Sequence, residues 1–264
     1  MRIGLVLGIA AALAIGAAAV VAAPERTRPA SFHSIVDASA LLFGASGGGQ
    51  WYGDEEASKW FQSGEAYTFY SMTRRLDSEA GIKLENDEHC GATVVMQPNR
   101  TENAAMGIVA TWNALPRVPR AVSTDQPVYA RAVRDVLVSR GFHKPVVHVD
   151  QVVRVDLDGK GVESVLVAAS KLTPDGRFYS VVLLRQPTAK GVRTIVLDSE
   201  IDNKNTSKGG VVLCRFAIAG TFDFQGDGRM APMLTWQGID AAGSEIMDVR
   251  NGGAQRVLYT ACGA

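Results

Sequence analysis

The chain is poor in the residues that build metal centres, with four histidines and three cysteines among 264 residues. Glu85-Asn-Asp87-Glu88-His89-Cys90 gathers donors, but it lacks the second spaced His or Cys pair that zinc requires, so it reads as a solvated loop. An excess charge of either sign is also missing: Lys and Arg total 27 and Asp and Glu total 27. A polyanion partner demands a basic stripe. The two densest basic clusters here, Arg117–Arg120 and Arg131–Arg140, flank a proline loop and lie on a helix face, which argues against nucleic acid. Beyond the first 22 residues there is no long apolar stretch, so nothing else in the sequence suggests a membrane span.

What is present begins with an export signal. Arg2 supplies positive charge, Ile3 to Val21 is apolar and alanine-rich, and Val20-Val21-Ala22 offers small residues to a signal peptidase. Residues 1–22 read as a cleaved signal directing the chain to the periplasm or exterior, with cleavage after Ala19 or retention as an anchor as the alternatives. Removing them takes away one of the 27 basic residues and no acid, so 26 against 27 leaves a net charge of −1.

Three thiols in an exported chain imply one disulfide and one cysteine left over. Cys214 sits in Val211-Val-Leu-Cys-Arg-Phe-Ala-Ile218, whose alternation places it on a buried strand face with Phe216 and Ile218. Cys90, in a charged loop, and Cys262, near the C-terminus, are then the expected pair.

The texture of the chain changes near residue 146. Residues 23–145 are mixed. A short helix is expected over 54–61, with Asp54, Glu55 and Glu56 complementing its dipole. A longer helix opens at Ser123-Thr-Asp125-Gln126-Pro127, turns Val128, Val133, Val136 and Leu137 inward, and closes at Gly141. Strands are expected at 67–73, 92–96 and 106–112. From Val146 onward, short β runs alternate with turn signals such as Thr173-Pro-Asp175-Gly176 and Asn251-Gly252-Gly253. They make two consecutive four-stranded antiparallel meanders, arranged as propeller-like blades or a sandwich. The expected fold class is β-rich α+β with a mixed N-terminal region that supplies a further small sheet.

Each meander carries the same loop after its first strand: Asp156-Leu-Asp158-Gly159-Lys160-Gly161, and 67 residues later Asp223-Phe-Gln225-Gly226-Asp227-Gly228. Alternating oxygen side chains with glycines between them are what a hard cation asks of a short loop. The loops resemble FG-GAP or VCBS repeats, the integrin-type calcium loops, and the wider order is similar to exported bacterial proteins with a Gly-rich, Trp-containing N-terminal segment, here Gly44 to Trp51. The resemblance implies calcium ligands at Asp156 and Asp158, with Glu163 near the closing acid, and at Asp223, Gln225 and Asp227. Both copies depart from the pattern. Lys160 replaces an acid in the first, Gln225 is neutral in the second, and Ser164 and Ala231 stand where the last carboxylate belongs. The implied calcium binding is therefore weak, and structural turns closed by Asp–amide hydrogen bonds are the competing reading.

Two further features bear on function. Gly44-Ala45-Ser46-Gly47-Gly48 matches the G-x-S-x-G nucleophile elbow, which makes Ser46 the candidate of a serine hydrolase. Trp51, Tyr52, Trp60 and Phe61 offer an aromatic platform for a sugar or peptide, centred on Trp51 and Trp60. The expectation is an exported, non-enzymatic β-repeat protein that binds a protein or glycan partner; the alternative is a secreted hydrolase using Ser46.

Overall fold

A computed structural model describes residues 27–98, 103–202 and 213–263. The expected signal, residues 1–22, lies outside the described residues. In chain order the elements are β1 (His33–Asp37), β2 (Leu42–Gly47), β3 (Gln50–Tyr52), α1 (Asp54–Trp60), β4 (Glu65–Tyr70), β5 (Arg75–Asp87), β6 (Gly91–Gln97), β7 (Met106–Ile108), β8 (Arg120–Ala121), α2 (Pro127–Ser139), β9 (Val149–Val155), β10 (Ser164–Leu172), β11 (Phe178–Thr188), β12 (Gly191–Asp202), β13 (Arg215–Phe222), β14 (Ala231–Gln237), β15 (Ala241–Arg250) and β16 (Gly253–Gly263). The fold is β-rich with two helices among the described residues.

Both meanders form as expected. β9 to β12 pair consecutively, with β8 added beside β9, and β13 to β16 make a second four-stranded sheet. Their turns follow local chemistry: Gly176 N–H donates to the Thr173 carbonyl at 2.9 Å, and Asn251 and Gly252 both take positive φ, as a tight I′-type hairpin turn requires. The first half of the chain supplies the third unit, a seven-stranded antiparallel sheet ordered β3-β2-β1-β7-β4-β5-β6.

One apolar cluster joins all three sheets. Phe43, Tyr70 and Ile108 from the first sheet meet Val155, Leu166 and Val182 from the second and Phe222, Met233, Ile246 and Leu258 from the third. The third sheet touches both of the others. Thr260 Oγ1 donates to Asp37 Oδ2 of β1 at 3.4 Å, and its edge strand β13 lies across the second sheet. An edge strand exposes unpaired amides that invite aggregation. Here they are covered: Phe216 N–H donates to Ser180 Oγ at 2.8 Å, Ile218 N–H to Gln151 Oε1 at 2.7 Å and Cys214 N–H to Glu200 Oε2 at 2.8 Å. Each such amide left bare in a dry interface would cost about 1–3 kcal/mol.

The helix α2 forms where its signals lie, with Pro127 at its first turn and Gly141 beyond its end. Its buried stripe is shifted from the expected one. Tyr129, Ala132, Val133 and Leu137 are buried, whereas Val128 is exposed. The stripe packs on Val152, Val167, Tyr179 and Leu183, so α2 covers the second sheet although it precedes residue 146 in the chain.

Candidate functional site

The two Asp-Gly loops occupy equivalent places, joining β9 to β10 and β13 to β14, and the fold brings them side by side. In the first, the Asp156 carboxylate turns inward on its own loop: Oδ1 accepts the Lys160 N–H at 3.2 Å and Oδ2 the Gly161 N–H at 2.6 Å. Desolvation pulls its pKa upward, but the Gly161, Lys160 and Gly159 amides and the Arg117 charge prevail and hold it below its ordinary 3.8. In the second, Asp223 Oδ1 accepts from Gln225 and Gly226 at 3.2 and 2.7 Å, and Oδ2 from Gly228 at 2.9 Å. Asp227 Oδ1 accepts the Arg229 N–H at 2.9 Å.

The remaining expected ligands are engaged elsewhere. Asp158 lies 3.3 Å from Arg229 and 3.9 Å from Lys160. Glu163 pairs with Arg120 at 3.2 Å and Arg154 at 3.6 Å. Gln225 donates Nε2–H to the Gln50 carbonyl at 3.0 Å. Among the described residues no three side chains of His, Cys, Asp or Glu are grouped so as to hold a metal ion.

The linker between β7 and β8 threads between the loops. Its Trp112 donates Nε1–H to the Asp223 carbonyl at 2.8 Å, and its Ala114 carbonyl accepts the Asp223 N–H at 2.8 Å. Arg117 reaches both loops at once, donating from Nε to the Asp156 carbonyl at 2.5 Å and from Nη2 to the carbonyls of Leu157 and Gly228 at 3.1 and 2.6 Å. The loops also join directly, Met230 N–H to Leu157 carbonyl at 2.8 Å.

The segment expected to form a nucleophile elbow forms a strand. Ser46 lies within β2, opposite His33 of β1 and Trp51 of β3, is fully buried, and donates its hydroxyl to the Phe224 carbonyl. A substrate has no approach to that oxygen. The neighbouring glycines serve close backbone packing: a Cβ on Gly47 would fall 1.8 Å from the Ser31 carbonyl oxygen, and one on Gly44, whose φ is +135°, 2.3 Å from that of Tyr52. Fluorophosphonate probes are therefore expected to leave Ser46 of the folded chain unlabelled; stoichiometric labelling lost in Ser46→Ala would revive the hydrolase.

Nor do the aromatics make an open platform. Trp51 is half-buried with its ring 6.0 Å from Phe224, and Trp60 packs edge-on to Phe32 at 5.6 Å and Tyr52 at 5.2 Å. The disulfide pairs Cys90 with Cys262, and Cys214 stays free, half-buried just ahead of β13 rather than within it.

The surface that the sequence did not disclose is a cleft of about 450 Å³ between the β1–β2 turn and strands β13, β14 and β15, its walls more apolar than polar, with Leu41, Ala217 and Trp236 among them. Its walls include Asp37, Ser39, Arg215, Thr235, Gln237 and Ser244. Asp37 is buried, and desolvation raises its pKa against the opposing hydrogen bonds from Ser39, Leu41, Thr260 and Ser244. Beside it a second recess of about 510 Å³ shares Gln237, Ala242 and Cys262 and runs along the disulfide. No signal marked these residues, because the β1–β2 turn and five strands, β1, β13, β14, β15 and β16, contribute them.

A second unforeseen group lies between β12 and β15. The Glu245 side chain is fully buried, with Arg256 3.5 Å from its Oε2, the Asp198 carboxylate beside it and its Oε1 without a protein hydrogen-bond partner. Desolvation first, then the neighbouring Asp198 carboxylate, push its pKa up to about 8 against the pull of Arg256. One signal for it existed: an acid at an apolar position of the alternating run Gly243, Glu245, Met247.

Comparison with family models, with curated protein sequences and with solved structures yields no match.

Proposed function

We propose that the protein is an exported, non-enzymatic β-repeat scaffold that binds a protein or glycan partner in the cleft between the β1–β2 turn and strands β13, β14 and β15. The observation that carries this reading is the cleft itself. Its volume of about 450 Å³ lies within the range of small-molecule sites, roughly 300–1,000 Å³. Hydroxyls from Ser39, Thr235 and Ser244, the Gln237 amide and the Arg215 guanidinium offer donors and acceptors in the mixture that sugar hydroxyls exchange. The Cys90–Cys262 bond beside it supports export, since disulfides persist in oxidising compartments. Among the described residues no helix is long and apolar enough to cross a membrane. The like placement of two Asp-Gly loops in two four-stranded meanders supports the FG-GAP or VCBS kinship. The burial of Ser46 favours binding over hydrolysis.

The test is calorimetric titration of a panel of neutral and acidic oligosaccharides into the folded chain. At least one should bind, and Gln237→Ala and Arg215→Ala should each weaken it about tenfold, the effect of losing roughly 1.4 kcal/mol of interaction. Both side chains are solvent-accessible, but Arg215 also pairs with the largely buried Asp150 at 2.6 Å, so the unfolding midpoint of Arg215→Ala is measured beside its affinity and Gln237→Ala carries the decision if that midpoint falls. Equal binding by wild type and both variants would remove the cleft from consideration, and no binding by any oligosaccharide would leave only the protein partner.

A further inference from the structure

The structure assigns Arg117 the place of the calcium ion: a single guanidinium from the β7–β8 linker serves as the shared cation of both Asp-Gly loops. Calcium collects six to eight oxygens. In these loops the oxygens that a cation would collect are already committed to hydrogen. Both carboxylate oxygens of Asp156 and both of Asp223 accept loop amides. Asp158 is paired with Arg229, and the neutral Gln225 turns its amide nitrogen to Gln50.

The backbone carbonyls that remain point at Arg117. Three of them, from Asp156 and Leu157 in the first loop and Gly228 in the second, lie 2.5, 3.1 and 2.6 Å from its nitrogens. A guanidinium suits this task because it is always charged and presents five donors in a rigid fork, so one side chain satisfies acceptors from two loops. Gly159 makes room for it: a Cβ there would sit 3.1 Å from Arg117 Nη1. The positive charge also accounts for the departures from the calcium pattern. With a fixed cation present, Lys160 needs only to point outward, where its side chain is 76% exposed, and the closing acids are dispensable. Arg229 repeats the arrangement on a smaller scale, joining Asp158 of the first loop to the Val249 carbonyl at 3.2 Å. The loops thus bind each other through arginine. This holds independently of what the cleft binds, so either conclusion survives the failure of the other.

Thermal unfolding of the exported chain, in millimolar calcium chloride and then in chelator, tests it. The wild-type midpoint should be the same in both. Arg117→Ala should lower it by about 5–10 °C, as expected for three carbonyls losing a charged donor, and Arg117→Lys, a single point charge without the fork, should recover less than half of that loss. Should Arg117→Ala not fold, the drop in Arg117→Lys takes its place. A wild-type midpoint that rises in calcium, with the rise abolished in Asp227→Ala, would overturn the assignment by showing a working calcium loop. An Arg117→Ala midpoint equal to wild type would overturn it as well.

Discussion

Reducing the Cys90–Cys262 disulfide should cost the fold on the order of 5 kcal/mol. The bond closes a loop of 172 residues, and in the chain-entropy model a loop of that length restricts the unfolded chain by about 5 kcal/mol. Few single changes in a domain of this size would do more, since total stabilities are about 5–15 kcal/mol. The bond fastens the β5–β6 hairpin of the first sheet to β16, the edge strand of the third, so its loss frees the two sheets at the rim of the cleft. Urea unfolding of wild type with and without reductant, beside the Cys90→Ala/Cys262→Ala double variant, measures the effect. Both routes should lower the midpoint equally. Cys214 does not confuse the experiment. Burial first, and the neighbouring Glu200 and Asp198 carboxylates after it, push its thiol up to about 11, so at neutral pH it is a poor nucleophile for disulfide exchange. Titration of the native chain should find one slow thiol. A reduced protein as stable as the oxidised one would mean that sheet packing alone fixes the hairpin.

The pairing of Cys90 with Cys262 was legible because only Cys214 sat in an apolar run, and the two meanders were legible because alternation and Asp-Gly turns are local signals. The misses have physical causes. The β2 segment reads as a nucleophile elbow because Gly44, Ser46 and Gly48 fit G-x-S-x-G, yet the smallness of Gly44 and Gly47 is what lets Tyr52 and Ser31 press against a strand. β5, spelled Arg-Leu-Asp-Ser-Glu-Ala-Gly-Ile-Lys-Leu-Glu-Asn-Asp, carries charge on both faces and is held extended by its ladders to β4 and β6 rather than by burial. In α2 a one-residue difference, buried Tyr129 in place of exposed Val128, followed from counting aliphatics and not the aromatic that joins the core of the second sheet.

The candidate site was legible only in its loops. Asp156 and Asp223 could be seen as loop organisers, but their common partner could not. Arg117 is 39 residues from Asp156 and 111 from Gly228, and a sequence shows it merely as one arginine beside prolines. The same holds for the cleft, which draws Asp37 from one hairpin and Gln237 from another. Trp51 and Trp60 were read for their chemistry, whereas their neighbours Phe224, Phe32 and Tyr52 determined their exposure.

Raising the pH from about 5 to 8 should destabilise the protein, with Glu245 the largest contributor. Its side chain is fully enclosed between the second and third sheets, facing Asp198 from β12 and Arg256 from β16, with Tyr259 opposite it in register. Burial makes a charge on Glu245 costly, and a second negative charge beside the Asp198 carboxylate adds to that cost. Glu245 therefore keeps its proton in the fold up to about pH 8, whereas the unfolded chain releases it near the ordinary value of 4.5. The sign follows from proton counting. Between those values the folded state binds the extra proton, so stability is fully present below about 4.5 and declines as pH rises, by about 1.4 kcal/mol per unit, until the folded form also ionises near 8. The accumulated loss is roughly 3–5 kcal/mol. His33 acts in the opposite direction. Desolvation holds its pKa below 6.5 against the Val109 carbonyl contact, so its contribution falls as pH is lowered. Asp37, also raised, adds a slope of the same sign as Glu245. Comparison with Glu245→Gln separates them, because glutamine has nearly the same shape, does not titrate, and leaves His33 and Asp37 untouched. In urea unfolding at pH 5, 6, 7 and 8, wild type should lose stability relative to Glu245→Gln across the series. Parallel curves for the two proteins would mean that Glu245 is ionised in the fold, with Arg256 holding its charge beside Asp198.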